Sequence, residues 1–163
     1  MLEERYILVL MKKLKQFNPR DIILTTSIVA FLISLTQQCY CTTDSCGYSI
    51  AAVFSGAIGL LLGGAGITWL ANPFLLASWI LAKKSPEFSL LMSFLAVATA
   101  LFFLSFSKIM VNEAGSYGQI ISYKLGYWLW VLSSIIMFAG NSWLYFSKWR
   151  AVAQRDLPLQ NNT

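Results

Sequence analysis

The stretch Gly66–Lys84, GITWLANPFLLASWILAKK, decides how this chain is read. It stays apolar from Gly66 to Ala82 and stops at a lysine pair. At about 1.5 Å per residue that run covers roughly 25 Å, close to the hydrocarbon core of a bilayer. Within it lies Asn72-Pro73, an amide followed by the residue least suited to a helix interior. Pro73 has no N–H to give the carbonyl of Trp69, and an unpaired polar group in lipid costs several kcal/mol. A helix distortion within Trp69–Pro73 is therefore expected, with Asn72 turned toward neighbouring helices. Asn141 is the other amide inside a span, and counting back from Lys83 and Lys148 puts the two about 6 Å apart in depth, close enough to share a hydrogen bond directly or through water.

The rest of the chain agrees with lipid as its solvent. Its 163 residues are 57% hydrophobic and 12% charged, where a soluble domain carries roughly 25% charged residues. Crossings are expected over about 22–37, 66–82, 88–107 and 125–147, making residues 1–163 one integral membrane domain: an all-α, four-transmembrane-helix bundle. The apolar block Ser49–Ala82 is too long for one crossing. Ser49–Gly64 is then an additional outer-side half-helix, or part of an unusually long second helix; the glycine-rich Gly63–Gly66 favours a break. Residues 1–20 form a basic lead, with Ile7, Leu10, Leu14 and Phe17 at the spacing of a helix lying on a membrane surface. Residues 151–163 form a polar tail.

Charge orients the bundle. Arg5, Lys12, Lys13, Lys15 and Arg20 precede the first span, Lys83 and Lys84 follow the second, and Lys148, Arg150 and Arg155 follow the last; Lys108 and Lys124 fall on the opposite side. Cytoplasmic flanks carry the excess of Lys and Arg, so both termini are expected inside. The basic balance is thus explained by the bilayer, and no nucleic-acid partner is called for. Trp69, Trp128 and Trp130 then lie near the outer boundary, and Trp79, Trp143 and Trp149 near the inner one, where indole rings are favoured.

Chemistry is sparsely provided. The chain has no histidine, the commonest general base and metal ligand. No carboxylate lies at mid-membrane, where a proton-coupled carrier keeps one. Catalytic residues, a metal site and a cofactor are not expected. Gln37 and Gln38 exclude a lipoprotein cleavage site before Cys39. The ladder Ser55-x-x-x-Gly59-x-x-x-Gly63 removes bulk along one helix face and allows close packing, within the bundle or between copies. Asn112–Trp130 gathers Glu113, Tyr117, Tyr123, Tyr127, Trp128 and Trp130 into an aromatic lip or interfacial belt. Asn72, Glu113, Tyr127 and Asn141 are the candidate polar groups of a binding site.

Cys39, Cys41 and Cys46 share the first outer loop, where disulfides persist; either Cys39 or Cys41 is the candidate partner of Cys46. Four spans with cysteines in that loop resemble, in layout, the disulfide bond formation protein B family, whose members oxidise a partner thiol and reduce quinone. The chain departs from that family's pattern: it has Cys39-Tyr40-Cys41 in place of Cys-x-x-Cys, no cysteine after Cys46, and no arginine between Arg20 and Arg150. The stretches WLANP (69–73) and LGYWLW (125–130) are similar to an uncharacterised group of small bacterial integral membrane proteins. That resemblance implies a bacterial inner (plasma) membrane and no particular chemistry. The leading expectation is a non-enzymatic multi-pass protein acting through packing with itself, as a homo-oligomer, or with a membrane-protein partner. A small-molecule or lipid-like binding or transport site at the outer side of the bundle is the alternative, with a quinone-linked thiol oxidase third.

The orientation is directly testable. Reporter fusions at both termini should report the cytoplasm, and a cysteine placed at Lys84 should resist membrane-impermeant thiol reagents in intact cells. Labelling at position 84 from outside would invert the second crossing.

Overall fold

A computed structural model of the chain describes residues 18–110 and 116–155. The interfacial lead, Glu113 and most of the polar tail lie outside the described residues. Among the described residues are five α-helices: α1 (Pro19–Leu35), α2 (Ser49–Leu62), α3 (Ala71–Lys84), α4 (Pro86–Phe102) and α5 (Leu125–Arg155). A 3₁₀ segment, Gly64–Leu70, runs into α3, and a short one, Phe103–Ser105, closes α4. Three helical stretches among these residues are long and apolar enough to cross a membrane: Gly64–Lys84, Pro86–Ser105 and Leu125–Gln154. α1, with 17 residues, is shorter.

Local signals explain the helix ends. Asn18 caps α1, its Oδ1 accepting from the Arg20 N–H at 3.1 Å, and Pro19 occupies the first turn where no N–H is needed. Lys83 and Lys84 close α3, where positive charge suits the carbonyl end of the helix dipole. Pro86 starts α4 after Ser85. Pro73 is the third residue of α3, so its missing N–H falls in a first turn and not in a helix interior. The distortion expected around Trp69–Pro73 takes the form of the 3₁₀ segment ending at Leu70.

The packed interior is small and polar, and the outside is large and apolar. Ser27, Ser34, Ser78, Ser89, Ser93, Ser133, Ser134, Asn72 and Asn141 are buried, while Val29, Leu32, Phe88, Leu91, Phe94, Leu132, Trp143 and Phe146 are exposed. Two reciprocal serine pairs hold the helices. Ser27 Oγ donates to the Ser133 carbonyl at 2.9 Å, and Ser133 Oγ donates back to the Ser27 carbonyl at 2.8 Å, joining α1 to α5. Ser78 and Ser89 repeat the arrangement between α3 and α4, at 2.9 and 2.8 Å. Each hydroxyl has spent its proton, so each oxygen can only accept further bonds. The donors arrive from a third helix: Trp79 Nε1 reaches Ser27 Oγ at 2.9 Å, and Asn141 Nδ2 reaches Ser89 Oγ at 2.9 Å and Ser93 Oγ at 3.2 Å.

The expectation of an all-α fold needs correction. The segments joining α1 to α2 and α4 to α5 form one antiparallel sheet, ordered β2-β1-β4-β3, from β1 (Gln38–Thr42), β2 (Cys46–Tyr48), β3 (Lys108–Met110) and β4 (Tyr117–Tyr123). β1 pairs with both β2 and β4, so the first connecting segment is fastened to the second, with Tyr40 opposite Tyr123. Strands satisfy the backbone of segments that have no helix to do so. α2 is folded back on the 3₁₀ segment. Gly63 and Gly64 make the turn at φ +75° and +58°, a conformation that side chains other than glycine resist. A Cβ on Gly66 would overlap the Gly59 carbonyl, and one on Gly56 would strike the Trp69 ring.

Removing one hydroxyl from a serine pair should cost about 1 kcal/mol, the scale of an interhelical hydrogen bond in a membrane protein. Ser89→Ala and Asn141→Ala should be clearly non-additive in a double-mutant cycle of unfolding in detergent micelles. Strict additivity would show that the pair and the amide do not act together.

Candidate functional site

The sheet and the α2–3₁₀ hairpin do not close on each other. Between them lies a cavity of about 460 Å³ at the sheet end of the bundle, within the size range of small-molecule sites. β1 contributes Cys39, Tyr40 and Thr42, while β3 and β4 contribute Lys108, Ile109 and Tyr117. The hairpin contributes Val53, Gly56, Gly59, Thr68 and Trp69, and the helices beneath add Asn72, Phe103, Tyr127 and Trp130.

The polar groups in this wall are mostly engaged. Thr68 donates to the Ala65 carbonyl at 2.6 Å, Trp69 Nε1 to the Val53 carbonyl at 2.6 Å, and Thr42 to the Ser45 carbonyl at 3.1 Å. Tyr127 is fully buried, and its hydroxyl donates to the Ala100 carbonyl at 3.0 Å, near the end of α4 where carbonyls lose their helical partners. Its ring packs among Phe103, Tyr123, Trp128 and Trp130. Asn72 is different. Trp130 Nε1, which can only donate, approaches its Oδ1 at 2.9 Å. This fixes the amide so that Nδ2 points away, and among the described residues Nδ2 has no hydrogen-bond partner. Asn72 is only 7% exposed and lines the cavity.

The candidate residues are thus divided. Asn72 and Tyr127 share the cavity; Asn141 belongs to the serine cluster, and Glu113 lies outside the described residues. The two amides do not meet, because Asn72 pairs with Trp130, eleven residues and about 16 Å along α5 from Asn141. Lysine counting aligned the inner helix ends but could not foresee the reach of an indole. In the small-residue ladder only Gly59 packs, against Gly66. Ser55 donates to the Ala51 carbonyl of its own helix, and Gly63 is the turn. Lys108 and Thr68 were missed as cavity residues, and Trp130 was placed in the aromatic lip without its bond to Asn72. Trp130 stands three residues after Tyr127, on the same helix face, and that spacing was the available signal.

Cys41 and Cys46 are disulfide-bonded across the β1–β2 hairpin, and Cys39 is a buried free thiol. Burial pushes the Cys39 thiol up to about 11, partly offset by the neighbouring Ser49 hydroxyl. Tyr40 and Tyr123 are also raised by burial. At neutral pH Cys39 is therefore a protonated thiol and a poor nucleophile toward the adjacent disulfide. No carboxylate of the described residues lines the cavity, and no cluster of three metal-ligating side chains occurs among them. What the arrangement offers is a shaped, mainly apolar space with one unmet amide. No family model matches the chain, and no curated protein or solved structure matches it either.

The raised thiol has a signed consequence. Its folded-state value lies above the unfolded value near 9, so its contribution to stability is complete below pH 9 and lost as pH rises through about 11. Thermal unfolding in detergent should shift downward over that window, less so in Cys39→Ala. An identical alkaline slope in both proteins would remove Cys39 as the cause.

Proposed function

We propose that this chain is a four-span protein of a bacterial inner membrane, with both termini cytoplasmic, that holds a small, mainly apolar molecule in the cavity at its sheet end. It is a binding or transport module without an active site of its own. The observation that carries the proposal is the 460 Å³ cavity into which Asn72, buried and held by Trp130, presents an unpaired amide. Nδ2 faces the open space of the cavity without a protein acceptor among the described residues, and a ligand acceptor placed there pairs with it.

The membrane assignment draws on burial and charge. Large apolar side chains face outward along every helix while serines and asparagines face in, as expected when the solvent is lipid. Asp21 pairs with Lys83 at 2.7 Å, bringing the start of α1 to the end of α3. Arg20 and Lys148 share a second, smaller pocket at that same end. Lys108 and Lys124 lie at the sheet end, on β3 and just after β4. α1, at about 26 Å, is long enough to cross with slight thinning of the bilayer. Association with a second copy or a partner protein draws on Ile50, Phe54, Ile58 and Leu61, exposed along one face of α2; lipid covers such a stripe equally well.

Ala52→Trp places a large ring in the cavity without touching the serine pairs. Organic extracts of the purified wild-type protein should contain an apolar small molecule that extracts of Ala52→Trp lack, with both proteins unfolding cooperatively. Equal extracts from the two would count against occupancy of this cavity.

A further inference from the structure

Given that the cavity is a ligand site, the premise on which its selectivity rests, the donors and acceptors of its wall specify more than size. The hydroxyl protons of Thr42, Thr68 and Tyr127 and the indole proton of Trp69 are committed to the carbonyls of Ser45, Ala65, Ala100 and Val53. Trp130 spends its indole proton on Asn72 Oδ1. Two buried residues of the wall keep protons to give, Asn72 through its Nδ2 and Ser49 through a hydroxyl with no hydrogen-bond partner among the described residues, and both are neutral donors. Lys108, the cationic side chain in the wall, is exposed, so it stands at the mouth and not beside a buried head group.

We infer that the cavity selects an apolar molecule bearing a neutral carbonyl acceptor, an ester or ketone, whose oxygen accepts from Asn72 Nδ2. An alkane leaves the amide unmet. A carboxylate would bury a charge with no cation at depth. Trp130 is then a positioning residue: as a donor only, it prevents the amide from turning over and presenting Oδ1 to the ligand.

The ester has two sources, the acyl linkage of a membrane glycerolipid or a free apolar ester, and the test separates them. Trp69 and Trp130 line the cavity, so bromine on a bound chain quenches their fluorescence. Dibromostearate methyl ester, dibromostearate and a dibromoalkane of equal length are titrated into the full-length protein in detergent, each reversed by its unbrominated counterpart to isolate the saturable component. The ester should bind about tenfold more tightly than the alkane, the factor that one hydrogen bond of about 1.4 kcal/mol supplies, and more tightly than the carboxylate. Asn72→Leu should bring ester and alkane together while leaving alkane binding intact, which also shows that the variant folds. Trp130→Phe should reduce the same preference through the freed amide, read on Trp69. Displacement of the ester by phosphatidylcholine would identify the membrane lipid as source, and failure of phosphatidylcholine to compete would identify a free ester; both outcomes support the inference. Saturable binding with no preference for the ester would overturn the inference and spare the cavity proposal. Absence of saturable quenching by every probe would overturn both.

Discussion

Ser78 and Ser89 each give a proton to the other's backbone carbonyl, and the rest of the bundle is arranged around that exchange and its twin, Ser27 with Ser133. A helical serine ordinarily donates to the carbonyl one turn back, as Thr26, Thr99, Ser142 and Ser147 do here. The paired serines donate across instead, which requires two backbones close enough for a one-carbon side chain to reach. Large residues at the seam would forbid it. That is why Ala82, Ala96 and Ala100 are fully or almost fully buried, and why Gly140 meets Ile23 without a Cβ. Where lipid is the solvent an apolar outer surface gains little by burial, and close packing and such bonds carry helix association.

The exchange also dictates what a third helix must bring. With their protons committed, the serine oxygens accept only, and further acceptors would be repelled. Trp79 and Asn141 supply N–H groups, tying α3 to the α1–α5 pair and α5 to the α3–α4 pair. The bundle is thus cross-linked by donors of the required sign. The sheet end obeys the same accounting by another route. There the segments leave helical geometry, and β1 paired to β4 satisfies backbone that the helices release, while the α2 hairpin packs backbone to backbone through Gly59 and Gly66.

The helices and the uneven placement of basic residues were legible because each rests on composition summed over many residues. The break that separates α2 from the 3₁₀ segment was legible from Gly63–Gly66, where glycine alone tolerates the turn. The sheet was overlooked although signals are present: isoleucine and tyrosine recur in KIM and YGQIISY on either side of a stretch that contains Gly115, and the polar stretches between spans read as loop. The serine pairs were not legible. Serine occurs throughout such helices, and whether it bonds within its helix or across depends on which residues face one another, a matter of rotation and tilt that periodicity leaves open. Asn72 was singled out from its chemistry alone, and it does turn inward, but its partner proved to be an indole.

The contrast between the two buried amides locates the site better than any motif. Asn141 spends its Nδ2 protons on serine oxygens that can only accept, so no donor there is left for a ligand. Asn72 receives a proton from Trp130 and, among the described residues, has no acceptor for its own. Both residues stabilise the bundle, yet only one leaves donors facing open space. A membrane protein selected for packing alone would gain from apolar residues around Asn72 that close the cavity, or from one more serine placed as Ser89 is. Here the cavity stays open beside Asn72, and the amide is held still by a residue that cannot take its protons. Preorganised and unmet, Asn72 has the features that recognition of a carbonyl requires.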